Sequence, residues 1–436
     1  MSPPGIAFIR SIFHHILLYQ RHIKLVSVLV IANSLASAAG WFTQIMIANI
    51  LGKELFGRVA FATSIGIFGQ VFVRVGLDRT LVRDLVHYPD RFEEFVEASL
   101  YLRYLLALVL LFGLLLWKVM SPVSAVSWGE AMIIMGSSVL SLDLQPVYDV
   151  WGKMQRHVIY FLSQKILYLL LIWSAFYFLK DNFSIFLIGA AAISSALFYL
   201  IIQHQWALKE MRFKSHQSFR MIAAAVKWLL RENWLIWISA LLGLAVIQIN
   251  QLALKKYCGY AELGLYAAAW QFVIIGTILI DQISRVGRPA MARITMPGAS
   301  GEVKRLFLYR YIAVMVGIIT PPALMMVLLR NSIFKVLFKP EYGAAANILP
   351  MLSAYLLLLS IGMVFSQYIL SVRLERLYFY SIMIGSILSY VLSHVFIPQY
   401  GIVGATWVLL LSHGASILCY IAGALFLTKS ESAIHP

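Results

Sequence analysis

Charged residues are scarce in this chain of 436 residues. Asp, Glu, Lys and Arg together make up 12% of the sequence, and hydrophobic residues make up 61%. A soluble domain has about 25% charged and roughly 45–50% apolar residues. The polar residues are therefore too few to cover the surface of a water-soluble fold of this size. The composition predicts an integral membrane protein.

Several motifs that would indicate an enzyme or a nucleotide-driven pump are also absent. Neither a Walker A loop nor a Rossmann glycine fingerprint occurs, and no segment between the hydrophobic runs is long enough for a catalytic domain. His204, His394 and His413 show no metal-ligand spacing, and Cys258 and Cys419 are the only cysteines. We therefore predict a non-enzymatic protein without a metal, a cofactor or a disulfide.

Long hydrophobic runs account for most of the chain. A helix that crosses the hydrocarbon needs about 20 mostly apolar residues. Several uncharged runs reach that length, and the longest, Leu377–Thr428, is divided by the turn sequence "IPQYG". The predicted fold class is an all-α integral membrane protein with about twelve transmembrane helices. The predicted spans are 26–50, 58–80, 99–119, 129–150, 158–179, 184–207, 233–254, 263–285, 306–329, 345–371, 377–397 and 402–427.

Basic residues are distributed unevenly among the segments that join these spans. The net charge is +16, and most Lys and Arg precede the first span or follow an even-numbered span. The positive-inside rule places such segments in the cytoplasm, so we expect both termini to be cytoplasmic. Because the charge follows membrane topology, membrane lipid is an expected partner and nucleic acid is not.

The sequence contains two similar halves. "LGKELFGRVAFA" after the first span aligns with "CGYAELGLYAAA" after the seventh, and Gly52 and Gly57 then match Gly259 and Gly264. The same register aligns two further pairs within the spans: Gln44 with Gln251, and Arg74 with Asp281.

This similarity predicts two six-helix lobes related by a parallel repeat. The amino-terminal lobe is 1–207, and it begins with a segment that we expect to lie at the membrane interface. A basic cytoplasmic connector follows at 208–232, and the carboxy-terminal lobe is 233–436.

Four basic residues fall within predicted spans: Arg74, Arg103, Lys165 and Arg310. Each lies roughly 6–10 Å inside the basic end of its helix, and a charge at membrane depth marks a functional site by default. The alternative interpretation is that their long side chains snorkel to the headgroups. For Arg74 the cavity interpretation is favoured, because Asp78 lies one helical turn away and can pair with it.

Acidic residues complete the candidate site. Asp281 precedes Arg285 by one helical turn, which mirrors Arg74 and Asp78 with the signs reversed, and Asp143 and Asp149 flank Pro146. These charges either line a cavity or bridge helices and hold the two halves together.

Amide side chains add to the polar content of the spans. Gln44 and Gln251 are examples, and each taken alone is more simply a hydrogen-bonding contact between helices. Together with the charges they indicate a partly hydrated interior. Prolines within the predicted spans, at Pro146, Pro321, Pro322 and Pro350, are expected to kink their helices.

Segments across nearly the whole chain resemble the polysaccharide transporters, which are bacterial O-antigen repeat-unit flippases of the multidrug/oligosaccharidyl-lipid/polysaccharide (MOP) exporter superfamily. The segments that carry the resemblance are "NILGKELFGRVAFATSIGIF", "VGLDRTLVRDL", "QPVYDVWGKMQRHVIYF", "FKPEYGAAANILPMLSAYLLL", "SVRLERLYFYSI" and "FIPQYGIVGATWVLL".

The resemblance implies a V-shaped pair of lobes around a central cavity. It also implies a substrate, an undecaprenyl-pyrophosphate-linked oligosaccharide that is flipped across the bacterial inner membrane. Arg74, Lys165, Arg103, Arg310 and Arg285 would attract the pyrophosphate. Asp78 and Asp281 would hold these groups or bind a coupling cation, H⁺ or Na⁺. Other polysaccharide-assembly proteins are possible partners. The first span carries no charge, so the arginines that lipid II flippases have there have no counterpart.

Three other functions are consistent with parts of the sequence. A cation-coupled multidrug exporter of the same superfamily would need an acidic, aromatic cavity, which the basic residues at membrane depth disfavour. An O-antigen polymerase or ligase would need a large outer loop, and the outward segments here are short. A structural scaffold would tolerate neutralisation of the buried charges.

Overall fold

The computed structural model describes the backbone of residues 4–120, 126–211, 218–295, 301–372 and 374–434. All regular structure in these ranges is helical. The α-helices are α1 (Pro4–Arg74), α2 (Leu77–His87), α3 (Phe92–Met120), α4 (Trp128–Val139), α5 (Gln145–Val150), α6 (Met154–Phe178), α7 (Ile185–Met211), α8 (Phe219–Ile294), α9 (Gly301–Leu328), α10 (Arg330–Leu337), α11 (Leu349–Ser371) and α12 (Glu375–Ile434). Short 3₁₀ helices cover Pro89–Arg91, Leu140–Leu142, Lys180–Asn182 and Pro340–Ile348.

Nine helical segments within the described ranges are long and apolar enough to cross a membrane. Three of them, in α1, α8 and α12, are far longer than one crossing requires. Each is interrupted by a glycine of positive φ: Gly52 at 78°, Gly259 at 87° and Gly401 at 54°. Counting the two arms of each interrupted helix separately gives twelve membrane segments, which confirms the predicted fold class.

The arms of α8 and α12 fold back on each other. Tyr378 and Tyr420, on opposite arms of α12, stack with their ring centroids 5.8 Å apart. Gly243 and Met291, on opposite arms of α8, line the same cavity. Neither contact could form in a straight helix, so both helices are hairpins that turn at their glycines.

The arms of α1 are also folded back. Gly40 lies beside Lys165 of α6, and Arg74 acts electrostatically on His157 of the same helix. A straight helix from residue 40 to residue 74 would span about 50 Å, whereas residues 157 and 165 are about 12 Å apart along α6. The bend at Gly52 therefore brings both ends of the α1 hairpin to one neighbouring helix.

The hairpins of α1 and α8 pack against each other, and this contact joins the two halves. Helices α3, α4 and α6 surround α1, whereas α9, α11 and α12 surround α8. We use "amino-terminal lobe" for α1–α7 and "carboxy-terminal lobe" for α8–α12. The glycine face is the end of the bundle where the hairpins turn at Gly52, Gly259 and Gly401, and the basic face is the opposite end.

Two predicted spans are interrupted near the basic face. The span 58–80 is not one helix: α1 ends at Arg74, Val75 and Gly76 have positive φ (55° and 70°), and α2 begins at Leu77. The span 129–150 is divided into α4, a 3₁₀ turn and α5. Both interruptions place backbone polar groups at depth, where protein must enclose them rather than lipid.

The prolines have different effects from those expected. Pro146 and Pro350 occupy the first turns of α5 and α11, where a missing N–H leaves no hydrogen bond unmade. Expecting these two to kink a helix was wrong. Pro321 and Pro322 do lie inside α9.

The expected connector between the lobes and the expected interfacial segment are mostly helical. Helix α7 ends at Met211 and α8 begins at Phe219, so most of the expected connector 208–232 is helix. Residues 212–217 of that connector lie outside the described residues. The segment expected at the membrane interface continues α1 from Pro4, and its side chains lie outside those described.

Candidate substrate site

Two arginines and two aspartates form a closed ring of charges near the basic face. The Arg74 guanidinium donates from Nη1 to Asp78 Oδ2 (3.0 Å) and from Nη2 to Asp143 Oδ2 (3.1 Å). Arg103 donates from Nη2 to Asp78 Oδ1 (3.3 Å) and from Nη1 to the Asp143 carbonyl (2.9 Å). Arg103 Nη1 also lies 4.0 Å from Asp143 Oδ1, so each carboxylate lies between two guanidiniums. We call these four residues the charge quartet.

The breaks in the helices position the quartet. Because α1 ends at Arg74 and the chain turns through Val75 and Gly76, Asp78 enters the first turn of α2, where the helix dipole favours a negative charge. Asp143 follows the 3₁₀ turn after α4 in an extended conformation. The interruptions that divide the predicted spans are therefore the features that assemble this site.

Burial differs between the two arginines of the quartet. The side chain of Arg103 is 2% exposed and that of Asp143 is 6% exposed, whereas those of Arg74 and Asp78 are each 31% exposed. A buried charge is tolerated when it is paired and hydrogen-bonded. Arg103 is enclosed by protein and does not snorkel, and the accessible edge of the quartet consists of Arg74 and Asp78.

Three further charged residues belong to the candidate site. Asp149 lies in the amino-terminal lobe, whereas Asp281 and Arg285 lie in the carboxy-terminal lobe. Arg285 and Asp281, on α8, are exposed. Arg285 is close enough to act electrostatically on Asp149, which is half-buried on α5, and on His157 of α6. An arginine of the carboxy-terminal lobe therefore faces acidic and imidazole groups of the amino-terminal lobe.

The other candidates lie away from the quartet. Lys165 packs beside Gly40 with its Nζ 5.1 Å from the centre of the Phe161 ring, and Arg310 is exposed on α9. Gln251 is buried and accepts a 2.6 Å hydrogen bond from the Ser64 hydroxyl. It thus links the two lobes, as expected of an amide between helices, whereas Gln44 is half-buried on α1.

A cavity of about 600 Å³ lies in the carboxy-terminal lobe, on the side that faces Asp78 of the quartet. Helices α8, α11 and α12 form nearly all of its wall, and Asp78 enters it from the amino-terminal lobe. Its charged lining residues are Asp78 and Arg288. Because Asp78 lines the cavity and also belongs to the quartet, the cavity and the quartet form one continuous site.

Sequence reasoning did not single out several of these groups. Arg288 and the buried pair formed by His157 Nε2 and the Tyr199 hydroxyl (2.8 Å) gave no signal, because their partners are far away in the sequence. At the glycine face, Arg58 forms two hydrogen bonds to the carboxylate of Glu130 (2.8 and 3.0 Å). Among the residues described, no group of His, Cys, Asp and Glu has the arrangement of a metal site.

Comparison with known proteins gives a family and a fold. Residues 23–295 match the family described as "Polysaccharide biosynthesis protein". No curated protein sequence matches significantly. A multidrug resistance MATE family transporter of the MOP superfamily in its inward-facing conformation superposes with a TM-score of 0.68 at 14% identity, covering 92% of this chain and 96% of that one. Its outward-facing conformation gives 0.60 at 14% identity, covering 94% and 96%. The lipid II flippase MurJ in an inward closed conformation gives 0.65 at 14% identity, covering 91% and 87%.

Proposed function

The chain belongs to the polysaccharide biosynthesis protein family, and we propose that it is a flippase. Its cargo would be an oligosaccharide repeat unit linked to undecaprenyl pyrophosphate, moved from the cytoplasmic to the outer leaflet of the bacterial inner membrane. The observation that supports this proposal is the cavity in the carboxy-terminal lobe, whose lining is partly polar and which joins the charge quartet through Asp78. A cavity of this kind suits a polar headgroup, while a lipid tail stays in the bilayer.

The proposed orientation follows from the distribution of basic residues. With the basic face in the cytoplasm, both termini are cytoplasmic and the cavity opens on the side where the cargo is made. The lobes then meet at the glycine face, on the outer side. Alternating access would separate the lobes at the glycine face and close them at the basic face.

The accessible edge of the quartet is suited to a pyrophosphate. Arg74 presents a planar fork that can bind phosphate oxygens at two points, and Arg285 and Arg288 lie on the opposite lobe. In the structure the carboxylates of Asp78 and Asp143 occupy the Arg74 fork. An incoming phosphate would replace Asp78, which is the more exposed of the two. The aspartates thereby keep the arginine in place between transport cycles.

A multidrug exporter is the second candidate. The observation that favours it is that Asp78 lines the cavity together with Tyr378 and Tyr420, because a carboxylate beside aromatic rings suits an organic cation. Against it, Asp78 is already neutralised by Arg74 and Arg103.

The test measures surface polysaccharide and lipid-linked intermediates in a deletion strain of the source bacterium. The strain is complemented with wild type, Arg74→Ala, Arg74→Lys or the control Arg376→Ala, which changes an exposed arginine at the start of α12. We expect Arg74→Ala to be present at normal levels while display falls and undecaprenyl-pyrophosphate-linked units accumulate. Arg74→Lys should restore part of the display, and the control should match wild type.

Three outcomes would contradict the proposal or a part of it. If the deletion accumulates no lipid-linked oligosaccharide and wild type restores no display, the cargo class is wrong. If the same strains instead differ in their resistance to organic cations, the exporter function is supported. Equal display with all the arginine variants would mean that Arg74 does not contact the phosphate.

A further inference from the structure

Parts of two sequence segments that carry the family resemblance contact each other at the glycine face. "NILGKELFG" begins at Asn49 and contains the bend of the α1 hairpin, and "FKPEYGAAANILP" begins at Phe338 and continues into α11. The first lies in the amino-terminal lobe and the second in the carboxy-terminal lobe. Neither contributes a residue to the charge quartet or to the wall of the cavity. Their contact is therefore separate from the substrate site.

The second segment belongs to a connection that is much longer in the carboxy-terminal lobe. Residues 329–348 join α9 to α11, whereas only residues 121–127 join α3 to α4 at the corresponding place in the amino-terminal lobe. The longer connection consists mainly of α10 and the 3₁₀ helix that follows it. We call residues 330–348 the latch segment. It is present on one lobe only, so it breaks the symmetry of the repeat at the glycine face.

Aromatic packing anchors the latch segment to its own lobe. The rings of Phe334 and Phe338 stack with their centroids 5.0 Å apart, and both pack against Phe272 of α8, at 5.8 and 6.3 Å. Phe338 also packs against Tyr342, with the ring centroids 5.3 Å apart. These contacts are buried. We therefore expect the latch segment to move together with the carboxy-terminal lobe.

Hydrogen bonds connect the latch segment to the other lobe, just before the bend of α1. The Asn49 amide donates from Nδ2 to the Leu337 carbonyl (2.7 Å) and accepts at Oδ1 from the Lys339 N–H (2.9 Å). The Tyr342 hydroxyl donates to the Ala48 carbonyl (2.9 Å). Each bond joins a side chain of one lobe to the main chain of the other. The two lobes therefore recognise each other's backbone here.

The packing around these hydrogen bonds is close. A Cβ atom on Gly52 would lie 3.1 Å from Glu341 Oε1. Phe56, one turn beyond the bend, packs edge-on against Tyr342, with the ring centroids 6.4 Å apart. Phe56 is 1% exposed and Tyr342 is 0% exposed, so water is excluded from the Tyr342 hydrogen bond. A hydrogen bond in such an environment is stronger than one in water.

We propose that the latch segment is a conformational lock that holds the glycine face closed. Its hydrogen bonds to Asn49 and Ala48 form only while the lobes are together at this face, so they favour the closed state by their own free energy. The lock must release the α1 bend whenever the lobes separate there. This role rests on the alternating access proposed above and does not depend on the cargo.

The lock can be tested by measuring the distance between the lobes in the full chain in nanodiscs. Spin labels are placed on cysteines introduced at Asn182 and Tyr400, which are exposed at the glycine face on opposite lobes. Cys258 and Cys419 are changed to serine. Pulsed electron paramagnetic resonance then gives the populations of the shorter, closed distance and of a longer, open one. Thermal unfolding of each variant reports whether the fold is retained.

Two substitutions weaken the lock to different extents. Asn49→Ala removes two hydrogen bonds, and we expect the ratio of open to closed populations to rise about tenfold. Tyr342→Phe removes only a hydroxyl and keeps the ring, and the ratio should rise about threefold. The matched control is Asn347→Ala, which changes an exposed asparagine of the same 3₁₀ helix and should leave the distances unchanged.

The lock would be overturned by unchanged distances in folded Asn49→Ala and Tyr342→Phe, or by an equal change in Asn347→Ala. Gly57→Ala, in which the added Cβ would overlap the Tyr260 carbonyl of the other lobe, separates this failure from a failure of alternating access. If Gly57→Ala alone gives the longer distance, the lobes do separate at the glycine face and only the lock is wrong. If no variant gives it, separation at this face is wrong as well.

Discussion

Gly57 and Gly264 are in reciprocal contact at the meeting point of the two lobes. A Cβ atom on Gly57 would overlap the carbonyl oxygen of Tyr260, and a Cβ atom on Gly264 would overlap the carbonyl oxygen of Lys53. In the register that aligns Gly52 with Gly259, Gly57 corresponds to Gly264 and Lys53 corresponds to Tyr260. The two halves of the sequence repeat therefore make equivalent backbone contacts with each other, and these contacts close the glycine face.

This contact predicts how Gly57→Ala changes the conformation. An added methyl group cannot be accommodated without separating the hairpins, which destabilises the closed glycine face by about 1–3 kcal/mol.

The change can be measured by labelling a cysteine placed at Ser371, which lines the cavity. We expect the labelling by a reagent applied at the basic face to fall about fivefold or more. The measurement uses an impermeant maleimide on inside-out vesicles, with Cys258 and Cys419 changed to serine. Gly113→Ala, where a Cβ meets nothing within 4 Å, is the control. Unchanged labelling in Gly57→Ala would show that the contact does not hold the lobes together.

A second prediction concerns the backbone at the hairpin of α8. Gly259 has φ 87° and ψ −178°, a conformation that only glycine adopts readily, and a Cβ there would meet nothing within 4 Å. Gly259→Ala should therefore lower the free energy of unfolding by about 1–3 kcal/mol through backbone strain alone. Thermal unfolding in detergent measures the effect. Gly317→Ala, inside α9 in open space, should be neutral or slightly stabilising. A loss of equal size in both variants would exclude strain as the cause.

The buried arginine of the quartet gives a third prediction. Arg103→Met leaves Asp143 and Asp78 with one guanidinium between them, and breaking a buried ion pair typically costs about 3–5 kcal/mol. The double variant Arg103→Met/Asp143→Asn removes both charges and should recover part of that loss. A double-mutant cycle of unfolding free energies measures the coupling. Additive effects would show that the Arg103 guanidinium and the Asp143 carboxylate, which are 4.0 Å apart, are not coupled. The hydrogen bond from Arg103 to the Asp143 main-chain carbonyl does not depend on the side chain at residue 143.

The ion pair at the glycine face gives a fourth prediction. Glu130 is buried, caps α4 together with Ser127, and binds Arg58, which lies 5.7 Å from the Tyr260 ring of the other lobe. Glu130→Gln should lower the unfolding free energy by about 1.5–3 kcal/mol, because charge-assisted hydrogen bonds are lost. Glu302→Gln, at an exposed position in the first turn of α9, should have little effect. If both variants unfold like wild type, the pair is not a structural contact.

Much of the fold could be predicted because hydrophobic length and glycine positions are local properties. The uncharged runs located the membrane segments, and the aligned glycines at 52 and 259 are the points where α1 and α8 turn. The breaks at residues 75–76 and 140–144 were missed. The spans were predicted from hydrophobicity, and the residues at these breaks are hydrophobic enough to continue a predicted span.

The candidate site was only partly accessible from the sequence. Arg74 and Asp78 are four residues apart, so their pairing could be anticipated. The contact of Arg74 with Asp143 joins residues 69 positions apart, and the burial of Arg103 depends on which side of α3 faces the lobe interior. Gln367 and His413 are far apart in the sequence, and the packing of α11 against α12 brings them to one cavity wall.

By itself, the sequence determined that the chain is a membrane protein of about twelve helices with basic segments on one side. Hydrophobicity and charge can be read for each segment separately, without knowing how the helices pack. Only the tertiary structure decided which charges neutralise each other and which polar groups face the cavity. Both depend on contacts between residues far apart in the chain, and a charge at membrane depth has no fixed partner until the helices pack.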